Sequence, residues 1–409
     1  MTNTDKAGNP ADKTQNSYAG AAFSDAFFSA LLLWYRENRR VLPWRDTGNP
    51  EDVWISEIML QQTRVEAVKE YFIRFRKELP DVYALASCPE DRLMKLWEGL
   101  GYYSRARNLK KCAEVLVRDC GGRLPADRDA LLKLPGIGPY TAGAIAAIAF
   151  GIPSAAVDGN VLRVWSRIQN RADNIALEST KQSFGREIEE LLLKETGDGS
   201  LSPVSESSEK GDREPSPVSR SAVSDFTQAL MELGAVVCLP NGAPLCGRCP
   251  VRAFCRACRE GTALSLPVKA AKKPRRVEER TILVLRDGER FYLRKRPARG
   301  LLAGLYEFPG FPGFLTPEEA VRAARTLGAD PVRVKDLPEG KHIFTHVEWR
   351  MKAYEVTVSA FPASPALPGS PAVPEEQENG ALPLTREELR SFAVPSAFRT
   401  WTDWYSLKA

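Results

Sequence analysis

Residues 131–163 read LLKLPGIGPYTAGAIAAIAFGIPSAAVDGNVLR, and the architecture turns on them. Leu131–Leu134 closes a short apolar helix, and Pro135-Gly136-Ile137-Gly138 makes a four-residue turn. Pro139 stands where a first helical residue is favoured, because its missing N–H is not needed there. The Ala- and Ile-rich run Thr141–Phe150 predicts a largely buried second helix. The pattern is a helix-hairpin-helix over 131–150. Gly136 and Gly138 let the backbone come close to a partner, and N–H groups at a helix start suit an anionic phosphate. Such contacts fix a protein on DNA without reading its sequence. A plain Gly-rich loop between core helices has the same local composition. A dinucleotide-binding turn is excluded, since no strand precedes it and Thr141 takes the third glycine's place.

Val157-Asp158-Gly159-Asn160 follows the hairpin. Taken alone, Asp158 is a helix cap for the segment after it. Beside a phosphate-gripping hairpin, its carboxylate points to chemistry at DNA. A second carboxylate lies upstream in Trp54-Ile-Ser-Glu-Ile-Met-Leu-Gln-Gln-Thr63. On a helix, Glu57 shares a face with Val53, Trp54, Leu60 and Gln61. Apolar and aromatic neighbours desolvate a carboxyl, raise its pKa and make it a proton donor near neutral pH.

The length of 409 residues suits two or three domains. The net charge of +5 is modest, but Lys and Arg cluster at 39–40, 105–111 and 269–276, and local clusters matter more for nucleic acid than the sum. The first twenty residues lack an apolar core and are not a secretory signal, and no apolar run reaches membrane-span length. The expectation is a soluble, intracellular, DNA-associated protein with no membrane partner. Five of the eight cysteines fall within 238–258, which in a reducing compartment argues for metal ligation over disulfides.

Residues 1–22 read as a disordered tail. Phe23–Arg40 is an amphipathic helix, and short helical patterns then succeed one another to about residue 194, with no strand among them. A Ser/Pro/Glu-rich interruption covers 195–222, helix resumes at 224–237, and a basic linker spans 264–278. After it the texture changes. Thr281–Leu285 and Phe291–Arg294 flank Asp287-Gly288, a hairpin signal, with a further strand at 349–358 and helices at 316–327 and 386–391. A Pro-rich insertion fills 359–383. The fold class is multidomain: an all-α domain over 23–263, then an α+β domain over 279–409.

LPGIGPYTAGAI with VDGN resembles the helix-hairpin-helix base-excision DNA glycosylases. WISEIMLQQT (54–63), LPWR (42–45) and GLGYYSRARNL (99–109) resemble, nearly letter for letter, the adenine DNA glycosylases of the MutY family. The resemblance implies that Glu57 protonates adenine N7 and that Asp158 stabilises or transiently bonds the sugar cation, with Tyr140 and Asn160 supporting it. It implies DNA contacts from Arg45, Gln62, Tyr102, Gly136 and Gly138, with Gln62 and Tyr102 wedging into the base stack as adenine flips out. Related endonuclease III-like enzymes carry in the hairpin a Lys that forms a Schiff base and leads to strand cleavage. Tyr140 stands there, between Pro139 and Thr141, so base removal without an efficient lyase step is expected.

Cys238, Cys246, Cys249 and Cys255 are separated by seven, two and five residues. Four thiolates suit zinc as well as iron. The resembled family holds a 4Fe-4S iron–sulfur cluster with spacers of six, two and five, so this context favours the cluster. The first spacer here is one residue longer, and Cys258 is an extra thiol that leaves the fourth ligand open. The C-terminal part resembles the family's Nudix-like domain, which recognises 8-oxoguanine opposite adenine. Its Phe-Ser-His loop is here Phe344-Thr345-His346, which keeps a hydroxyl. Nudix hydrolases need an REUxEE run for metal. The helix here reads PEEAVRAARTLG, so nucleotide hydrolysis is not expected.

The expected function is excision of adenine mispaired with 8-oxoguanine or guanine in double-stranded DNA, by a monomer. The alternatives are a bifunctional glycosylase/lyase for damaged pyrimidines and a non-enzymatic iron–sulfur DNA-binding module. The two insertions read either as loop growth or as docking segments for a sliding clamp or mismatch-repair protein.

Overall fold

The hairpin glycines and the capping Asp158 lie in a helical assembly whose core forms where four amphipathic helices meet. The computed structural model describes residues 21–196, 217–270, 274–361 and 381–407. The sequence expectations for the tail, both insertions and the middle of the linker fall largely outside them. The helices before the cysteines are α1 (Ala21–Asn38), α2 (Pro50–Leu60), α3 (Val65–Glu78), α4 (Val82–Ser87), α5 (Glu90–Leu96), α6 (Ser104–Asp119), α7 (Arg128–Leu132), α8 (Pro139–Ala144), α9 (Gly159–Gln169), α10 (Glu178–Thr196) and α11 (Pro217–Val236). No strand occurs among these described residues, and no helix is long and apolar enough to cross a membrane.

The chain divides into two compact units. The first combines residues up to Gln61 with Val115–Ala271. Its core joins Phe27, Phe28, Leu31 and Tyr35 of α1 to Trp165 of α9, Phe184 of α10 and Phe226 of α11. Phe28 stacks on Phe226 with ring centroids 4.7 Å apart. The second helix of the hairpin is not uniform. α8 gives way to a π-helical turn over Ile145–Ala149, packed against α2 and α11. Such wide turns concentrate near functional sites. Ala and Ile do not announce it in the sequence.

The second unit combines Gln62–Glu114 with Lys272–Ala409. Its sheet has β1 (Arg276–Asp287), β2 (Arg290–Lys295), β3 (Tyr306–Glu307), β4 (Gly310–Pro312), β5 (Asp330–Ile343), β6 (Val347–Ala360) and β7 (Ala381–Thr385). The central order is β3-β2-β1-β6-β5, with β4 on β1 and β7 on β2. β1 and β6 run parallel, and the other pairs are antiparallel. The hairpin expected at Asp287-Gly288 forms, with Arg286 opposite Phe291 and Gly288 at φ +56°. β1 is buried on both faces, so its period of two serves two cores. Ile282 and Val284 face one core with Phe398 and Trp401, and Leu283 and Leu285 face the other with Ala320 and Ala324.

Residues 62–114 join this sheet domain through specific bonds. Lys95 Nζ donates to the Phe392 carbonyl at 3.2 Å, and Glu98 Oε1 accepts from the Val394 N–H at 3.1 Å. Lys295 pairs with Asp91 at 2.8 Å, and Arg107 donates to the Ala303 carbonyl. The remaining helices are α12 (Arg256–Arg259), α13 (Pro317–Thr326), α14 (Arg386–Leu389) and α15 (Arg399–Trp404).

Candidate active site and DNA interface

Three elements of the first unit bring two carboxyl groups together. α2 carries Glu57, which is 6% exposed. Asn49 caps that helix and Pro50 opens it, so its inward face is set from the first turn. α8 carries Tyr140, whose hydroxyl donates to Glu57 Oε2. Asp158 caps α9. Its Oδ1 accepts from the Val161 N–H at 2.7 Å, and its Oδ2 accepts from Asn160 Nδ2 at 2.8 Å. The capping and the chemical readings of Asp158 are therefore compatible in one side chain.

Burial pushes Glu57 up to about 7, with the nearby Asp158 charge adding to the rise, while the Tyr140 hydrogen bond and the Arg45 charge pull the other way. Burial also raises Asp158, against the Val161 N–H and Asn160. Tyr140 is raised well above its usual value by burial and by both carboxyls, so it stays a donor.

Sequence reasoning missed what holds this group in place. Arg163 of α9 donates to Asn160 Oδ1 at 2.9 Å, to the Gly234 carbonyl at 2.7 Å and to the Cys238 carbonyl at 2.7 Å. One turn on, Arg167 donates to Cys238 Sγ at 3.2 Å and to the Leu239 carbonyl at 3.0 Å. One face of α9 thus ties the capping end to the cysteine loop. Gly234 lets α11 approach that end: a Cβ there would stand 2.5 Å from Asn160 Cβ. The advance signal in the sequence is a pair of arginines four residues apart among Val161, Leu162, Val164, Trp165 and Ile168.

Arg45 is not displayed to solvent as a DNA contact would be. Its Nη2 pairs at 2.8 Å with Glu232, which is 1% exposed and also takes two bonds from the Arg40 guanidinium. Burial alone would raise Glu232, but the two arginines outweigh it and hold the carboxyl below its usual range. Arg45 acts here as a fixed positive charge near Glu57. In the hairpin turn, Gly136 has φ +77°, a conformation that favours glycine. Gly138 caps α8 in an extended conformation with open space where a Cβ would be, leaving room beside the helix start.

All five clustered thiols, Cys238, Cys246, Cys249, Cys255 and Cys258, line one pocket with Val164, Arg167 and Leu233 among its walls. Burial and the neighbouring thiols push Cys249 up to about 12, and Cys246 and Cys255 are raised likewise. Thiols that disfavour each other's ionisation are relieved by a cation. Among the described residues no three His, Cys, Asp or Glu side chains are placed to hold a single metal ion.

The second unit gathers the other sequence-selected residues in an open cleft lined by Gln62, Tyr102, Phe344, Thr345 and His346, with Arg107 and Arg276 at its walls. Phe344-Thr345-His346 is the turn between β5 and β6, closed by the Phe344 N–H on the Val347 carbonyl at 2.8 Å. Phe344 packs edge-on against Trp349, while Thr345 and His346 are exposed. Tyr102 is 45% exposed, and its hydroxyl shares a 2.9 Å hydrogen bond with Thr345 Oγ1. Gln62 and Tyr102 both hold left-handed backbone, at φ +58° and +47°. For non-glycine residues this stores roughly 1–3 kcal/mol and clusters at functional positions.

The family model of the HhH-GPD superfamily base excision DNA repair protein matches residues 55–191, and that of the NUDIX domain matches 281–403. The chain is 33% identical over 442 residues to the adenine DNA glycosylase of Mus musculus, covering 93% of this chain and 78% of the relative. It is 32% identical over 325 residues to the adenine DNA glycosylase of Buchnera aphidicola subsp. Baizongia pistaciae, covering 78% and 83% respectively. Among solved structures, a thermostable thymine-DNA glycosylase aligns with a TM-score of 0.48 at 28% identity, over 58% of this chain and 98% of that one. The match to the Mus musculus relative spans 93% of this chain and so takes in both units. By that relationship the chain belongs to the adenine DNA glycosylase family, the helix-hairpin-helix base excision repair enzymes with an appended Nudix-like domain.

Proposed function

We propose that this protein flips and hydrolyses adenine mispaired with 8-oxoguanine or guanine in duplex DNA, leaving the backbone uncut. The observation that carries the reading is Glu57: a buried carboxyl pushed up to about 7, held by the Tyr140 hydroxyl and facing a second carboxyl on Asp158. Tyr140 occupies Oε2, so the transferable proton sits on Glu57 Oε1. Glu57 donates it to N7 of the extruded adenine, which turns the base into a neutral leaving group. As the N-glycosidic bond breaks, positive charge develops on the sugar. Asp158, oriented by Asn160 and the Val161 N–H, faces that charge as the second carboxylate does in O-glycoside hydrolysis. Water completes the reaction at C1′. Tyr140 offers no amine for a Schiff base, which supports base removal alone.

The donor set fits a 4Fe-4S cluster held by Cys238, Cys246, Cys249 and Cys255. Five soft thiols share one pocket, a donor set that suits an iron–sulfur cluster. When bound, the cluster supplies a rigid, charged crosslink for the loop, and the exposed Arg248, Arg252 and Arg259 beside it suit DNA phosphates. Gly136 and Gly138 suit a further phosphate. In the second unit, Thr345 and His346 present polar groups to the base opposite adenine, with Gln62 and Tyr102 as wedges in the stack.

The test is single-turnover incubation with duplexes bearing adenine opposite 8-oxoguanine, adenine opposite guanine, or thymine glycol opposite adenine, each resolved with and without alkali. Alkali-dependent breaks at the two adenine mispairs are expected. Breaks without alkali at thymine glycol would establish a lyase instead. Binding with no product on any duplex would leave a DNA-binding module.

A further inference from the structure

The four-cysteine motif leaves Cys258 without a role, yet its thiol faces the same pocket as the other four. It sits on α12, which begins immediately after Cys255, and it lines the pocket beside Cys246. The five thiols are not held alike. Cys238 and Cys249 pack against the hydrophobic core of the unit. Cys238 also accepts from Arg167, and Cys255 donates to the Arg167 carbonyl at 3.4 Å. Cys246 has neither kind of support. It follows the lengthened spacer Leu239–Leu245, an irregular loop exposed from Pro240 to Ala243, and opens a single 3-10 turn.

We propose that Cys246 and Cys258 are interchangeable ligands for one corner of the cluster, the other three corners being fixed by Cys238, Cys249 and Cys255. This rests on the iron–sulfur reading of the pocket. In the exchange, the Cys258 sulfur forms a bond to iron as the Cys246 sulfur leaves it. The proton lost by the Cys258 thiol ends on the departing Cys246 sulfur, and no electron moves. The longer spacer is what makes the exchange accessible: an extra residue in an exposed loop loosens Cys246 at little entropic cost, while Cys258 is delivered by a helix whose start is anchored at Cys255.

The experiment measures iron and acid-labile sulfide per chain, with the visible thiolate-to-iron absorption, on the full-length protein and on Cys246→Ala, Cys258→Ala, the double variant and Cys249→Ala. Each of the first two single variants is expected to retain the wild-type iron content. The double variant and Cys249→Ala are expected to lose most of it. Loss of iron in Cys246→Ala or in Cys258→Ala alone, with the wild type loaded, overturns the exchange and leaves the cluster reading intact. Iron retained in the double variant overturns it as well. A wild-type protein that carries zinc, or no iron and sulfide, overturns the cluster reading and the exchange with it.

Discussion

The two candidate sites are built in opposite ways. The carboxyls of the first unit are fixed by the Tyr140 hydroxyl on Glu57 Oε2 and by Asn160 and the Val161 N–H on Asp158, and Glu57 is almost wholly withdrawn from water. The groups of the second unit sit on a hairpin turn and on two left-handed residues, exposed and few in partners. The difference follows from what each must do. A proton donor near neutral pH needs a dry, fixed environment, because only desolvation moves a carboxyl that far. A reader of a base must shed water and adapt as the duplex arrives, so it is displayed on loops carried by a rigid scaffold.

Removing the proton donor should separate the two sites most sharply. Glu57→Gln is expected to slow adenine release by roughly 10²–10⁴-fold while affinity for an uncleaved mispair stays within about 3-fold. A variant within about tenfold of the wild type in single turnover would break the assignment. The same residue sets the pH dependence. The acid must be protonated, so the rate should be flat below about 7 and fall about tenfold per pH unit above it, a limb absent from the residual rate of Glu57→Gln. Its folded-state affinity for the proton lies above the ordinary value of 4.5, so the native state loses up to about 3 kcal/mol as pH rises from about 4.5 to 7. Glu57→Gln should therefore melt higher than the wild type at pH 8, inactive but more stable. An unchanged or lower melting temperature would mean that the carboxyl is not desolvated.

Asp158→Asn comes next, at roughly 10²–10³-fold in rate, since it deletes the negative charge facing the sugar. Asparagine also caps helices, so thermal stability should change little. A large loss of stability with full activity would return Asp158 to a purely structural role. The smallest effects belong to the second unit. Thr345→Ala removes one hydroxyl and the bond to Tyr102, and should weaken preference for 8-oxoguanine over guanine about 3- to 10-fold, near 1 kcal/mol, with the maximal rate on the preferred mispair unchanged. A drop in that rate with preference intact would show the turn acting on chemistry rather than readout.

Local pattern made part of this legible. The hairpin turn, the capping Asp158 and the burial of Glu57 are statements about a few consecutive residues with a helical period, and so is the strand pair around Gly288. Arg163, Arg167 and Glu232 escaped because a buried charge on a helix has the same spacing as a solvated one. What distinguishes them is a partner far along the chain, such as Glu232 for Arg45 or the Cys238 carbonyl for Arg163. β5 was not foreseen because Pro331, Pro338 and alternating charges interrupt its period, and its strand character comes from pairing with β6. The π-turn has no residue signal at all.

The second unit is assembled from two pieces of chain, and this bears on how the protein is born. At synthesis rates of about 5–20 residues per second, residues 62–114 leave the ribosome roughly 15–60 s before the last of 272–409 exist. During that interval the nascent stretch carries Lys95, Glu98 and Arg107 without the Phe392 and Ala303 carbonyls that later accept from Lys95 and Arg107 and without the Val394 N–H that later donates to Glu98. A message cut short before residue 272 would yield a chain that never acquires those partners. Premature termination before Phe392 should therefore mark the helical stretch, and not only the missing part of the domain, for the cell's quality control.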